Sequence, residues 1–180
     1  MRAEPDDASE QVTQALRGEP LEVEAVEGEW ARIRTAYDYP GWIRPEALGT
    51  SLLLGDWLAP TAAEPVDAAR SYLGTRYEWG GMTTRGIDCS GLVHMAYRAT
   101  GRLVPRDADQ QEEAAEPVAE GGAVRGDLVC FGEPGHAHHI AFWLGDGRIL
   151  HSTQREGVDG VLEEALENAR AAGPIRFVRL

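Results

Sequence analysis

The chain is poor in cysteine, poor in positive charge and without any long apolar run. Its 180 residues include two cysteines, Cys89 and Cys130. A disulfide framework needs more than that, so stability has to come from packing, and both thiols are expected to stay reduced. No window approaches the roughly 18 consecutive apolar residues of a membrane span. The first residues, Met1-Arg2-Ala3-Glu4-Pro5-Asp6-Asp7, lack the basic stretch and apolar run of a secretory signal. A cytoplasmic protein is therefore the expectation. Seventeen Lys and Arg stand against 30 Asp and Glu, a net charge of −13. Binding to a phosphate backbone needs clustered cations, and docking on an anionic membrane does too. Neither nucleic acid nor membrane is an expected partner.

What is present has two textures. Residues 1–58 carry short β-like runs. Leu21-Glu22-Val23-Glu24-Ala25-Val26 alternates apolar and acidic residues, Gly28-Glu29 marks a turn, and Trp30-Ala31-Arg32-Ile33-Arg34 alternates again. Tyr39-Pro40-Gly41-Trp42-Ile43 begins another short strand. Short strands at close spacing predict a small β-barrel. Pro60 and Pro65 flank a linker.

Residues 59–180 read as an α+β domain. Val66, Ala69, Tyr72 and Leu73 recur at helical spacing before Gly74, and a second helix starts near residues 88 to 90, with Leu92, Val93, Ala96 and Tyr97 on one face. Gly126–Phe131, His139–Leu144, Arg148–Ser152 and Ile175–Leu180 read as strands, and Val161–Ala172 as a helix stopped by Gly173-Pro174.

Chemistry concentrates at Cys89. A cysteine attacks as thiolate, and a position at a helix N-terminus places it among unpaired N–H groups that favour an anion. Asp88 can cap that helix, and Gly91 leaves room for a substrate backbone. The base has to be a histidine within hydrogen-bond reach. His139 opens an apolar strand and is rigidly placed, whereas His136 and His138 sit in a Gly/Pro loop. His151, on the partner strand, can orient the base. This requires a Gly145-Asp146-Gly147 loop, or an equivalent bulge, that sets residue 151 opposite residue 141, with Gly147 left-handed. Cys130 and His94 read as core. The His136/His138/His139 group lacks the ligand count of a structural zinc site, so no metal and no cofactor are expected.

Five motifs in order resemble the NlpC-type cell-wall peptidases: Asp88-Cys89-Ser90-Gly91-Leu92-Val93, Leu103-Val104-Pro105-Arg106, Gly126-Asp127-Leu128-Val129, His139 to Gly147, and Ile149-Leu150-His151-Ser152. Tyr77-Glu78-Trp79-Gly80-Gly81 also fits that family, and the N-terminal part resembles a bacterial SH3 domain through Glu10, Leu16, Trp30, Tyr39 and Gly41-Trp42-Ile43. The resemblance implies a papain-like fold with Cys89 as nucleophile, His139 as base and His151 as orienting residue. It further implies γ-D-glutamyl-L-diamino acid endopeptidase activity on a small peptidoglycan peptide with a free N-terminal L-Ala, in cell-wall recycling. Glu10, Tyr39, Asp88 and Ser90 would hold the ammonium end, and Tyr77 would sit beside the scissile carbonyl. Arg76, Arg85 and Arg106 are candidates for the D-Glu α-carboxylate. Two rivals use the same residues. An amidase or acyl-transfer enzyme predicts an open groove, and a non-catalytic muropeptide-binding module predicts an unreactive Cys89.

Overall fold

The computed structural model describes residues 1–48, 56–169 and 173–180. Near the N-terminus, β1 (Leu21–Glu27), β2 (Trp30–Thr35) and β3 (Pro40–Ile43) form an antiparallel sheet in the order β1-β2-β3. Alternation along β2 buries Ala31 and Ile33 completely while Arg32 points outward. Ile43, Met1, Ala15, Leu21 and Leu48 complete this small core. Arg2 bridges Trp42 and Gln11, which ties the first residues to the sheet. The expected extent of this unit, 1–58, includes residues 49–55, which lie outside the described residues.

The second unit opens with α1 (Pro65–Arg70), whose proline occupies the first helical turn, where its missing N–H costs nothing. The short hairpin β4 (Met82–Thr83) and β5 (Gly86–Ile87) leads directly into α2 (Cys89–Arg98). After α3 (Ala108–Glu113) come β6 (Glu116–Val118), β7 (Leu128–Glu133), β8 (His136–Gly145), β9 (Arg148–Arg155), β10 (Val158–Ala165), α4 (Leu166–Ala169) and β11 (Ile175–Arg179). The sheet is antiparallel, in the order β10-β9-β8-β7-β11-β6. Strand alternation splits its core. Leu128, Ile140, Phe142 and Leu150 pack with Leu92, Val93, Ala96 and Tyr97 of α2. Val129, Phe131, Ala141 and Ile149 pack on the other side with Leu166, Ala169 and Phe177. Each large side chain so buried stabilises by about 1.5–3 kcal/mol.

Two expectations need correction. Val161–Ala172 is not a helix: Val161 to Ala165 are the end of β10, paired from Ser152 to Arg148 of β9, and the helix is confined to α4. Residues 170–172 lie outside the described residues. The Leu-Glu-Glu-Ala composition favours helix only weakly, and pairing along the whole of β9 overrides it. Likewise His136 and His138 belong to β8 rather than to a loop. The strand pairs Phe131 with His139 but Gly132 with Ala137, so His138 is the extra residue of a β-bulge. Such bulges re-aim side chains beside functional sites.

Candidate active site

Asp88 is the N-cap of α2, and its Oδ1 accepts the Gly91 N–H at 2.6 Å. A cap of this kind contributes about 1 kcal/mol. Its Oδ2 accepts from the Gly80 N–H and from Arg106 Nη2, both at 2.7 Å. Arg106 is 1% exposed. It also donates to Ser90 Oγ (2.9 Å), Thr13 Oγ1 (3.1 Å) and the Gly81 carbonyl (3.3 Å). Arg106 therefore cannot hold the α-carboxylate for which it was a candidate. Asp88 and Ser90 likewise have their polar atoms engaged by the protein. Gly91 makes room for protein rather than substrate, because an added Cβ would strike the Gly81 carbonyl.

Cys89 follows the cap and is 7% exposed. Its thiol meets the backbone N–H groups of Ile140 and Ser90. Burial, followed by the charge of Asp88, pushes the thiol up to about 12 against the pull of those N–H groups and Arg106. The sequence argument expected a lowered value. It weighed the helix terminus and omitted desolvation, which disfavours any buried anion. Cys130 is fully buried on β7, as expected of a core residue.

The β8–β9 turn has positive φ at both Asp146 (51°) and Gly147 (71°), as a I′ turn demands. Just before the turn Gly145 pairs with Arg148 and Trp143 with Ile149, so Leu144 is the extra residue of a bulge and Phe142 pairs with Leu150. That register carries residue 151 to the height of residue 141, the equivalent of the expected three-residue loop. His139 Nε2 lies 2.8 Å from His151 Nδ1. Behind them, His151 Nε2 lies 2.8 Å from Glu164 Oε1, and Arg155 Nη2 donates to Glu164 Oε2 at 2.6 Å. Burial pushes His139 down to about 3, with the charges of His151, His138 and Arg155 acting in the same direction. Burial also lowers His151, against the opposing influence of Glu164. Burial thus disfavours the charged form of both the thiol and the imidazole.

A cleft of about 580 Å³ opens beside the histidines, lined among others by Tyr77, Trp79, His138 and Arg155. Burial, then the charges of Cys89 and Asp88, raise the Tyr77 phenol, so it is a protonated donor at neutral pH. Trp79 is 59% exposed, and its Nε1 donates to Glu10 Oε1 at 2.6 Å. Gln11 Nε2 donates to the Trp79 carbonyl at 2.8 Å, and the Gln14 Oε1 accepts from the Met82 N–H at 2.9 Å. Tyr39 donates to Asp107 Oδ2 at 2.9 Å. Arg76 pairs with Glu78, and its Nε donates to the Arg85 carbonyl. Among the described residues, no group of three His, Cys, Asp or Glu side chains converges on a metal position.

Sequence reasoning missed Glu164 and Arg155. Glu164 was hidden by the mistaken helix. The available signal was Glu156-Gly157 between two runs containing β-branched residues, which reads as a hairpin and would have placed Glu164 on the strand beside His151.

The sequence profile of the NlpC/P60 family matches residues 74–171, and that of the bacterial dipeptidyl-peptidase SH3 domain matches residues 1–48. A γ-D-glutamyl-L-lysine dipeptidyl-peptidase of Bacillus cereus is 34% identical over 100 residues, covering 54% of this chain and 30% of that protein. The peptidoglycan endopeptidase RipB of Mycobacterium tuberculosis is 34% identical over 123 residues, covering 61% of this chain and 48% of RipB. The matched region thus spans from about a third to a half of these relatives. The crystal structure of an NlpC/P60 family protein from Bacillus cereus superposes over 99% of this chain and 59% of its own, with a TM-score of 0.60 at 24% identity, a likeness of fold. With more than half its length matched in sequence, this chain belongs to the NlpC/P60 family and carries a bacterial SH3 domain ahead of the family's domain.

Proposed function

We propose that this chain is a cysteine peptidase hydrolysing the bond between γ-D-Glu and the following L-diamino acid in peptidoglycan peptides that carry a free N-terminal L-Ala. The observation that carries this reading is the Cys89 thiol at the start of α2, meeting the N–H of Ile140, the residue next in sequence to His139 of the hydrogen-bonded His139–His151 pair. Cys89 attacks the γ-carbonyl as His139 takes the thiol proton. His139 then delivers that proton to the departing amine, and water hydrolyses the thioester to release L-Ala-γ-D-Glu. Because burial disfavours the charged form of both groups, attack and proton transfer proceed together. The protonated Tyr77 phenol supplies a hydrogen bond to the developing oxyanion.

The choice of a free amine is supported by the SH3 side of the cleft. Glu10 is an exposed carboxylate anchored by Trp79, itself a cleft residue. Tyr39 and Asp107 form a second polar pair contributed jointly by the two units. An ammonium needs such partners, since an unpaired buried charge is costly. Asp88 and Ser90, already satisfied by Arg106, serve in this reading by holding the start of α2.

The test uses L-Ala-γ-D-Glu-L-Lys and its N-acetylated copy. The free peptide should be cleaved and the blocked one at least about 100-fold more slowly, by the logic of an unpaired polar site. Equal cleavage of both contradicts the recognition, and cleavage that survives Cys89→Ala contradicts the mechanism.

A further inference from the structure

We propose that Glu164 is a positioning residue that sets the tautomers of both histidines and thereby makes His139 a base towards Cys89. The inference rests on the cysteine-peptidase reading.

Burial works against ionisation of Glu164, but hydrogen bonds from Arg155, His151 and Asn168 outweigh it and hold the carboxyl below its ordinary value. An ionised carboxylate only accepts hydrogen bonds. At 2.8 Å, Glu164 Oε1 therefore requires a proton on His151 Nε2. His151 is pushed by burial towards its neutral form, and a neutral imidazole carries one N–H. Its Nδ1 must then be a bare acceptor.

That atom lies 2.8 Å from His139 Nε2, so the bond runs from His139 Nε2–H to His151 Nδ1. A neutral His139 with its proton on Nε2 has a lone pair on Nδ1. Since Nε2 is engaged, Nδ1 is the one ring nitrogen left for the thiol. The opposite arrangement, with His151 donating from Nδ1, would set the bare Nε2 of a neutral ring against a carboxylate. It would also put a proton on His139 Nδ1, where a lone pair is needed. During attack the sulfur proton moves to Nδ1, the imidazolium keeps its Nε2–H bond to His151, and the same proton later leaves with the amine. Glu164 stays ionised throughout.

Glu164 is reached through His151 and touches no substrate, so its effect should appear as a loss of kcat with little change in KM. A wrong tautomer costs about 10⁴-fold in a serine-protease triad. One step further from the chemistry, Glu164→Leu should cost on the order of 100-fold. Glu164→Gln keeps an oxygen that can accept from His151 Nε2–H and should lose less than about tenfold by the same comparison.

The decisive measurement needs no substrate: long-range ¹H–¹⁵N NMR of the histidine side chains, with the rate of Cys89 alkylation measured alongside. Wild type should show His139 and His151 both protonated on Nε2. Glu164→Leu should show a tautomer mixture at both rings and slower alkylation, and Glu164→Gln should restore the wild-type pattern. Protonation of His139 on Nδ1 in the wild type overturns the proposal, even if no variant folds. So does a folded Glu164→Leu variant with unchanged tautomers. If the tautomers behave as stated while the peptide is not cleaved, the substrate assignment fails and the role of Glu164 stands.

Discussion

Two clusters of charge flank Cys89, and they are built in opposite ways. On the α2 side Arg106 is 1% exposed, and its guanidinium ends on Asp88, Ser90, Thr13 and the Gly81 carbonyl. That cluster is closed within the protein, which engages the guanidinium at Nε, Nη1 and Nη2. On the hairpin side the chain Arg155–Glu164–His151–His139 starts at one cleft residue and ends at another. Among the described residues, the His139 ring is hydrogen-bonded at Nε2. The closed cluster holds the start of α2, which carries Cys89, and the open one presents the His139 ring to the cleft. Burial of charge is common to both clusters, and what separates them is that the hairpin chain begins and ends at residues lining the cleft.

The sharpest way to break this comparison is to truncate one member of each cluster. His139→Ala should lower peptide hydrolysis by about 10⁴-fold or more, as loss of a catalytic base does, with the unfolding midpoint in urea little changed. Retention of a tenth of the activity would remove His139 from the chemistry. Arg106→Leu should do the reverse first. It leaves Asp88 buried without its partner and should cost about 3–5 kcal/mol of stability. A loss under about 1 kcal/mol, the size of an exposed pair, would show that the cluster is not closed.

A smaller effect sharpens the same contrast by pH. His94 of α2 lies behind Arg106, its Nδ1 2.8 Å from the Val104 carbonyl and its Nε2 without a hydrogen-bond partner among the described residues. Burial, followed by the charge of Arg106, lowers it to about 4. The unfolded chain takes up this proton near pH 6.5 and the folded chain only near its lowered value. The stability is therefore complete above pH 6.5 and is lost as the pH falls towards 4, at about 1.4 kcal/mol per unit. His139, also lowered by burial, acts in the same sense. Urea midpoints between pH 7 and 4.5 should fall accordingly, and His94→Asn should flatten the slope. An unaltered slope in that variant would mean His94 is not neutral in the fold.

Much of the architecture was legible from periodicity. The three N-terminal strands, α2 and the hairpin carrying His139 and His151 all follow from alternation, caps and turn residues. The register was legible because only one loop arrangement puts both histidines on one face. Residues 161–165 were not legible, because their composition suits a helix and only the edge of β9 makes them a strand. The state of the thiol was not legible either, because desolvation depends on what closes over Cys89 from β8.

By itself the sequence determined which side chains are available for chemistry, where α2 begins and how its hairpin turns, since these depend on neighbours along the chain. Tertiary structure decided that Arg106 would be spent on Asp88, that Glu164 would stand behind His151, and that burial would raise the Cys89 thiol and lower the His139 imidazole. Each of those depends on distance and exclusion of water between residues far apart in sequence, and no local pattern encodes them.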